Sequence, residues 1–383
     1  MTKPTNSNLS DLYILDFTGM ISGAFCTKLL ADLGANVLKI EPLEGEIMRN
    51  VAPIIDGKSS VFGSLNIGKK SITLDLKKSE SVEICQNLLN KYDIVVENFS
   101  PGVMKRLGLD YESLIKFKKD IIMCSISGYG QCGPDANQPA FAPIIQAKSG
   151  FDQTYAEAQG NSGTPLNMGP PIGDTTASLI AYGSILAAVH YREQTGKGQY
   201  IDIAMLDSLI STMHRDIQAS IFNEKIDRRY GPIRTLDGFI VIMPFTQIQF
   251  EKLMKCIERK ELIMDTNFSK PKNRLKNYNK LMLIVEDWTK TRTSSSVITA
   301  MNELKIPGTT YANLAEIVDD PQIRSRNLMV QASDQNTTYP VCGHPSKFSQ
   351  TETSINKSVP AIGQHNTEIL ETLLGITRNE TKD

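Results

Sequence analysis

Five short apolar runs, each about one helix apart, constrain this chain more than any other feature. LYILDF (12–17), NVLKIE (36–41), SITLDL (71–76), DIVVENF (93–99) and IIMCSIS (121–127) each read as a buried strand. Between them lie stretches with helical periodicity, AFCTKLLADLG first, then segments near 78–91 and 101–118. Fully apolar strands alternating with helices specify a parallel sheet covered on both faces. The expected fold class is therefore α/β, with a Rossmann-like large domain.

The pattern continues to a turn-rich loop, Gly163 to Gly173, and then a long apolar helix running to about Thr195. GKGQYIDIAML adds a turn, a strand and another helix reaching about Asn223. Beyond 225–235 the pattern changes. DGFIVIMPF reads as an edge or hairpin strand, and helices follow near 246–258, 274–291 and 295–304. We expect a large domain over 1–200 completed by 330–383, a linker helix over 201–229, a smaller α+β domain over 230–320 and a return linker over 321–330. A chain of 383 residues has room for two cores.

With 41 basic and 42 acidic side chains, no overall field favours nucleic acid or an anionic membrane. The polar N-terminus does not read as a signal peptide, and no window is expected to supply a membrane helix. Six cysteines show no CxxC or Cys/His spacing, so neither a disulfide framework nor a zinc site is expected; the cytoplasm is the expected compartment. Four histidines leave little material for a His-based triad.

Asp174 sits between the Gly/Pro-rich loop and the long helix. An Asp there can cap the helix, or it can be a reactive carboxylate that the first-turn N–H groups and helix dipole keep ionised. The first strand–helix turn carries Gly19 and Gly23 as GxxxG, not the GxGxxG of dinucleotide binding, although Glu41 ends the second strand where a ribose-binding acid would sit. No Walker A loop is present. The run Glu97 to Gly102 lies at the carboxyl end of a strand, where open sheets place ligands, with Ser100 as the expected N-cap. Arg106, one turn on, is either a phosphate ligand or a solvated helix residue. Lys69, Lys70, Lys77 and Lys78 flank a strand and read as solvated surface or a phosphate patch. Ser127 to Pro134 is a glycine-rich loop that lines a groove or is merely flexible.

Taken in order, ILDFTGMISGAFCTKLLADLGANVLKIE, SLNIGKKSITLDL, VVENFSPGVMKRLGLDY, SISGYGQCGP, PIGDTTASLIAYGSILAAVHYREQTGKGQYIDIAMLDSL, KIPGTTYANLAEIVDDPQIRSRNLM, HPSKFS and PAIGQHNTEIL resemble the family III coenzyme A transferases over nearly the whole chain. The resemblance implies an interlocked homodimer in which CoA lies across the carboxyl ends of the strands. It makes Asp174 the nucleophile, forming an aspartyl mixed anhydride and then an aspartyl-CoA thioester. Coenzyme A enters as substrate, with no permanently bound cofactor and no metal. By position, Gly19, Ile21, Ser22, Arg49, Leu74, Lys77, Asn98, Phe99 and Arg106 match CoA-contacting stretches, and Gly128, Tyr129, Phe141 and Arg234 are candidates for the acyl or acid substrate. Arg228 and Arg229 join Arg234 as a cluster that either grips a second carboxylate or is a solvated linker.

Departures narrow the reading. Pro42 replaces the Arg that formyl-CoA transferases carry after the second-strand Glu, which leaves Arg49 as the nearby base. Ile21 replaces their first-turn Gln, and their glycine-run loop is reduced to RRYGPIRT, which argues against oxalate as acceptor. The related acyl-CoA racemases use a His where this chain has Phe141. The leading expectation is a CoA-transferase with succinyl-CoA as donor and a small carboxylic acid as acceptor. The alternatives are an acyl-CoA racemase or isomerase of the same fold, or a silent CoA-binding homologue.

Overall fold

The computed structural model describes residues 7–160, 163–224, 226, 230–354 and 356–374. The chain divides into two compact units, Met1–Asn223 with Arg324–Asp383, and Glu224–Ile323.

The first unit is built on β1 (Tyr13–Asp16), α1 (Ser22–Asp32), β2 (Asn36–Glu41), the short hairpin β3 (Ile54–Ile55) and β4 (Lys58–Ser59), α2 (Ser60–Asn66), β5 (Lys70–Thr73), α3 (Ser79–Leu88), β6 (Ile94–Glu97), α4 (Val103–Leu107), α5 (Tyr111–Leu114) and β7 (Ile122–Ser127). It continues with α6 (Ala142–Lys148), α7 (Phe151–Ala158), α8 (Ile172–Thr195), β8 (Tyr200–Ala204), α9 (Met205–Ser211) and α10 (His214–Ile221). Six strands form one parallel sheet in the order β5-β2-β1-β6-β7-β8. Strand order reverses between β1 and β6, so the crevice beyond their carboxyl ends is the topological switch point where such sheets bind ligands.

Period-2 alternation inside the apolar runs decides which core each residue enters. Ile14, Val37, Ile94, Val96, Ile122 and Cys124 pack against α1, α6, α8 and α9. Leu15, Leu38, Ile72, Val95 and Met123 face α3, α4, α5 and the C-terminal helix Asn366–Leu374, which contributes Ile369. The antiparallel hairpin Met329–Asp334 with Thr337–Cys342 lays Ala332, Tyr339 and Val341 against α2.

Four expectations need correction. The domain boundary at 200 cuts through β8, which pairs with β7 through Ala204; the sheet needs its sixth strand. The segment 101–118 is two short helices, because Gly108 adopts a left-handed conformation (φ 69) that ends the first. The sequence of 321–350 reads as turn-rich, with a return linker over 321–330, but the segment holds the hairpin just described, which begins at Met329. Finally, α8 has a mean hydropathy of 1.3 over an 18-residue window, long and apolar enough to cross a membrane by length and composition. It is instead packed on α1 and the sheet through Ala177, Ser178, Ala181, Ile185 and Ala188. Small residues there let the helix axes approach closely.

The second unit carries a three-stranded antiparallel sheet in which Phe239–Ile242 lies between Gly308–Thr310 and Ile233–Arg234. Of the two readings of DGFIVIMPF, edge or hairpin strand, the hairpin holds: it pairs antiparallel with Ile233–Arg234 and is central in the sheet. Helices Gln247–Cys256, Tyr278–Thr289 and Ser294–Glu303 bury Phe250, Leu253, Leu281, Val285, Val297 and Met301 on it. The first of these helices starts with a reciprocal cap: the Gln249 N–H donates to Thr246 Oγ1 at 3.2 Å, and the Thr246 N–H donates to Gln249 Oε1 at 3.0 Å.

Candidate active site

The turn between β1 and α1 is the floor of the crevice, and it is pinned from beneath by buried charge. Asp16 accepts from the Thr18 N–H (2.9 Å) and from Thr18 Oγ1 (2.5 Å), and pairs with Lys69 Nζ at 2.9 Å. Lys69 also donates to Ala24 O and Asn66 Oδ1. Lys39 Nζ donates to Thr18 O at 2.6 Å and lies 2.7 Å from Glu46 Oε2. The other oxygen of Glu46 accepts the Met20 N–H at 2.6 Å, which holds Met20 at φ 58. Burial pushes the Asp16 carboxyl upward, but the Lys69 and Lys39 charges outweigh it and hold it at about 2. Burial depresses the Lys69 ammonium to about 8. Lys69 is fully buried, so reading it as solvated surface or a phosphate ligand is corrected: its three donors are spent under the turn.

Gly23 opens α1 against this turn. A Cβ there would sit 2.2 Å from Thr18 Cγ2, so only glycine allows the approach.

Asn98, just past β6, clamps the turn across the switch point. Its Oδ1 accepts the Gly19 N–H at 2.9 Å, while its Nδ2 donates to Gly19 O at 2.8 Å and to Ser22 Oγ at 3.1 Å. The preceding Glu97 is buried, its carboxyl pushed up to about 7 by that burial, and it accepts the Phe99 N–H at 2.7 Å. This fixes how the chain leaves β6.

Asp174 comes to the same place from the other side. The N-cap of α8 is Pro171, and no side chain caps the helix. Asp174 therefore lies inside the first turn, and the capping reading is corrected. Ser22 at the head of α1 is its polar neighbour and pulls the carboxyl's pKa downward. Ser178 Oγ joins the two helices by bonding both Ser22 O (2.6 Å) and Asp174 O (2.7 Å). Gln146 Oε1 accepts the Ile172 N–H at 3.1 Å and steadies the start of α8. Desolvation raises the Asp174 carboxyl to about 6 against the opposing pull of Ser22. The expectation that local N–H groups hold it firmly ionised is thus reversed in sign, because burial outweighs them. Above about pH 6 it is a carboxylate with little water to shield it.

A cavity of about 720 Å³ opens from this turn. Phe17, Ile40, Leu43, Leu74, Phe99 and Leu107 give it apolar walls, and Gly19, Lys77 and the acidic side chains Glu41, Glu44, Glu46 and Asp75 also line it. A second hollow of about 500 Å³ shares Leu76, Lys77 and Leu107 with it and adds Lys78 and Arg106. No ion pair engages Lys77, Lys78 or Arg106 among the described residues. The apolar walls suit the apolar arm of a long ligand, and Lys77, Lys78 and Arg106 of the adjoining hollow suit its phosphates.

The structure brings Gly19, Leu74, Lys77, Phe99 and Arg106 to this trough, and places Ser22 and Asn98 behind its floor. Ile21 is the N-cap of α1 and packs into the apolar cluster of Met48 and Phe62. Arg49 is not delivered to the trough. It makes a two-pronged pair with Glu41 (2.7 and 2.6 Å), donates to Pro360 O and stacks on Phe62 at 3.8 Å. The same pair occupies Glu41, the ribose-acid position. Ser100 does not cap α4; Gly102 does, at φ 81.

Gly128 and Gly173 both abut Ile145, which sets the Gly128–Tyr129 corner beside the start of α8. Phe141 is the exposed N-cap of α6. Arg234 lies in the second unit, where its N–H donates to Glu286 and its guanidinium sits 5.3 Å from the Phe239 ring centre. Arg228 and Arg229 fall outside the described residues. Sequence reasoning missed Glu46, Gln146 and Ser178. Glu46 and Ser178 reach the turn from distant parts of the chain, and Gln146 steadies the helix bearing Asp174; none stands in a recognisable local motif.

Residues 9–366 match the family model described as CoA-transferase family III. A succinyl-CoA:mesaconate CoA-transferase of Haloarcula hispanica is 34% identical over 95% of this chain and 96% of its own length. A succinyl-CoA:glutarate CoA-transferase of Mus musculus is 30% identical over 96% of this chain and 86% of its own. A crystal structure titled as a CAIB/BAIF family protein from Brucella suis superposes with TM-score 0.85 at 27% identity, covering 96% of this chain and all of that one. With the switch-point trough, the partly desolvated Asp174 carboxyl at the head of α8 and a match spanning both units, this chain belongs to CoA-transferase family III and is an enzyme whose substrates are CoA thioesters and carboxylic acids.

Proposed function

We propose that the enzyme moves CoA from succinyl-CoA to a small carboxylic acid through covalent intermediates on Asp174. The observation that carries this is the Asp174 carboxyl itself: partly desolvated, at the head of a helix that Ser178 ties to the β1–α1 turn, the turn whose Gly19 lines the cavity. The carboxylate attacks the thioester carbon, the C–S bond breaks and CoA leaves as thiolate, giving the mixed anhydride. The thiolate then attacks the aspartyl carbon and displaces the donor acid, leaving an aspartyl-CoA thioester. The acceptor carboxylate repeats the sequence in reverse. No net proton is consumed, so a carboxylate nucleophile suffices without a separate base.

CoA contacts fall to Gly19, Leu74, Phe99, Lys77 and Arg106 in this reading, the last two taking phosphate oxygens. The names of similar proteins support succinyl-CoA as donor and a dicarboxylic acid as acceptor, since mesaconate, L-malate and glutarate all occur among them. A homodimer acting in the cytoplasm completes the proposal. Leu179, Ile180 and Tyr191 on α8 are exposed apolar side chains that a second copy would cover. Racemisation gains no support, because Phe141 supplies no base.

The test is intact-protein mass spectrometry after incubation with succinyl-CoA, acetyl-CoA and related thioesters, with hydroxylamine or borohydride trapping and peptide mapping. An adduct on the Asp174 peptide, absent from Asp174→Ala, is expected. Saturable CoA binding with no adduct from any donor would sink the proposal. Light scattering at micromolar concentration reads the dimer.

A further inference from the structure

Asp16, Glu41 and Glu97 are the last residues of β1, β2 and β6, and none is more than 3% exposed. Asp16 is paired with Lys69, and Glu41 with Arg49. Glu97 forms no ion pair among the described residues. Its Oε2 accepts the Phe99 N–H at 2.7 Å, and no cation balances the group. A carboxylate withdrawn from water in this way attracts any cation that can reach it.

Glu97 can be reached. It lines a cavity of about 450 Å³ that α4 divides from the trough: Val103 and Leu107 of α4 face the trough, whereas Met104 and Lys105 face the cavity. The rings of Tyr111 and Tyr200 lie 5.6 Å apart in its wall, and aromatic faces attract cations. Gln131 supplies a further polar group. Its backbone N–H donates to Asp202 at 3.0 Å, but its side-chain Nε2 is buried with no acceptor among the described residues. A buried donor without an acceptor is costly, and a ligand oxygen placed against it relieves that cost. Asp110 and Glu112 outnumber Lys105 among the other charged lining residues, so the field opposes anions.

We infer that this cavity is a second ligand site, which takes a small organic ammonium ion carrying an oxygen acceptor: the ammonium group lies against Glu97 and the tyrosine rings, and the oxygen receives the Gln131 Nε2 donor. Binding is non-covalent and independent of the chemistry at Asp174. The titratable groups that face Glu97 from neighbouring elements are Asp202 and Tyr200 of β8 and Tyr111 of α5. Burial lifts both phenols above their usual range, Tyr200 to about 12, so the rings are neutral and Asp202 adds only attraction for a cation. Burial also pushes Glu97 up to about 7, so the site is fully charged only on the alkaline side of neutrality.

Three probes of one length separate the contributions: 3-aminopropanol has the charge and the oxygen, butylammonium only the charge, and 1,3-propanediol only the oxygen. In saturation-transfer NMR on the full chain at pH 8, 3-aminopropanol should bind saturably, and each of the others roughly 5-fold or more weakly. Saturating CoA should leave it bound, because α4 stands between the two cavities. Its affinity should fall several-fold between pH 8 and pH 5.5 as Glu97 takes up its proton. Glu97→Gln should weaken it on the order of 10- to 100-fold. Should that variant fail to fold, Tyr200→Leu, at a ring 39% exposed, removes part of the aromatic wall and should weaken binding about 2- to 5-fold. No saturable binding of 3-aminopropanol, equal binding of the three probes, displacement by CoA, or full affinity in a folded Glu97→Gln or Tyr200→Leu protein would each overturn the inference.

Discussion

Replacing Lys69 by methionine isolates what the buried charges under the turn contribute. Asp16 and Lys69 are both fully buried. The Asp16 carboxyl lies near 2 instead of 3.8, a favourable contribution of about 2 kcal/mol at neutral pH. The Lys69 ammonium lies near 8 instead of 10.5, an unfavourable contribution of about 3 kcal/mol. The two nearly cancel, so the intact pair is close to neutral for stability, as buried pairs commonly are. Removing one partner is different. Lys69→Met leaves Asp16 charged with only the more distant Lys39, and deprives Ala24 O and Asn66 Oδ1 of a donor. The expected loss is about 3–5 kcal/mol, a large fraction of a typical domain's stability of about 5–15 kcal/mol. Urea unfolding at pH 7 reads it as a lower midpoint. The double variant Asp16→Leu/Lys69→Met should be less destabilised than the sum of the singles by roughly 2 kcal/mol or more. The sign with pH follows from Asp16: its folded pKa is depressed, so its contribution is present above about pH 4 and is lost as pH falls through about 2. A Lys69→Met protein within about 1 kcal/mol of wild type, or additive single and double variants, would refute the reasoning.

Four further outcomes follow from the same site. Asp174 has a raised folded pKa, so its charged form opposes folding above about pH 6; Asp174→Asn should therefore be more stable than wild type by up to about 3 kcal/mol at pH 7.5 and by little at pH 4, read by thermal melts at both values. The same carboxyl gives wild-type kcat/KM an acid limb near pH 6, and an acid limb absent down to pH 4 would contradict the burial argument. Gly23→Ala puts a methyl into Thr18 and should cost about 1–3 kcal/mol while lowering the yield of trapped adduct, checked by urea melt and mass spectrometry on one sample. Lys77→Ala and Arg106→Ala should each raise the KM for acyl-CoA roughly 10-fold with kcat retained, an effect that shrinks in high salt.

How much of this was legible in advance differs by element. β2 was placed to the residue and the sheet class was clear, because buried parallel strands write unbroken apolar runs and covering helices write a 3.6-residue period. Segments 101–118 and 321–350 were misread because Gly108 breaks one pattern and because the hairpin alternation of residues such as Thr337 and Tyr339 is a weak local signal. Asp174, Asn98 and Ser22 were found as sequence positions, but their relation to one another was not.

The sequence by itself determined the layered α/β plan and the presence of an Asp at the head of a long helix, since both follow from local periodicity. Family resemblance added the chemistry expected of that Asp. Only the tertiary structure decided that Lys69 is a buried strut and not a phosphate ligand, that Arg49 is spent on Glu41, and that Asp174 is a desolvated acid beside Ser22 and not a helix cap. These are matters of partner and burial. They join residues 53, 8 and 152 positions apart, and no local pattern encodes which charges meet once the sheet has closed around them.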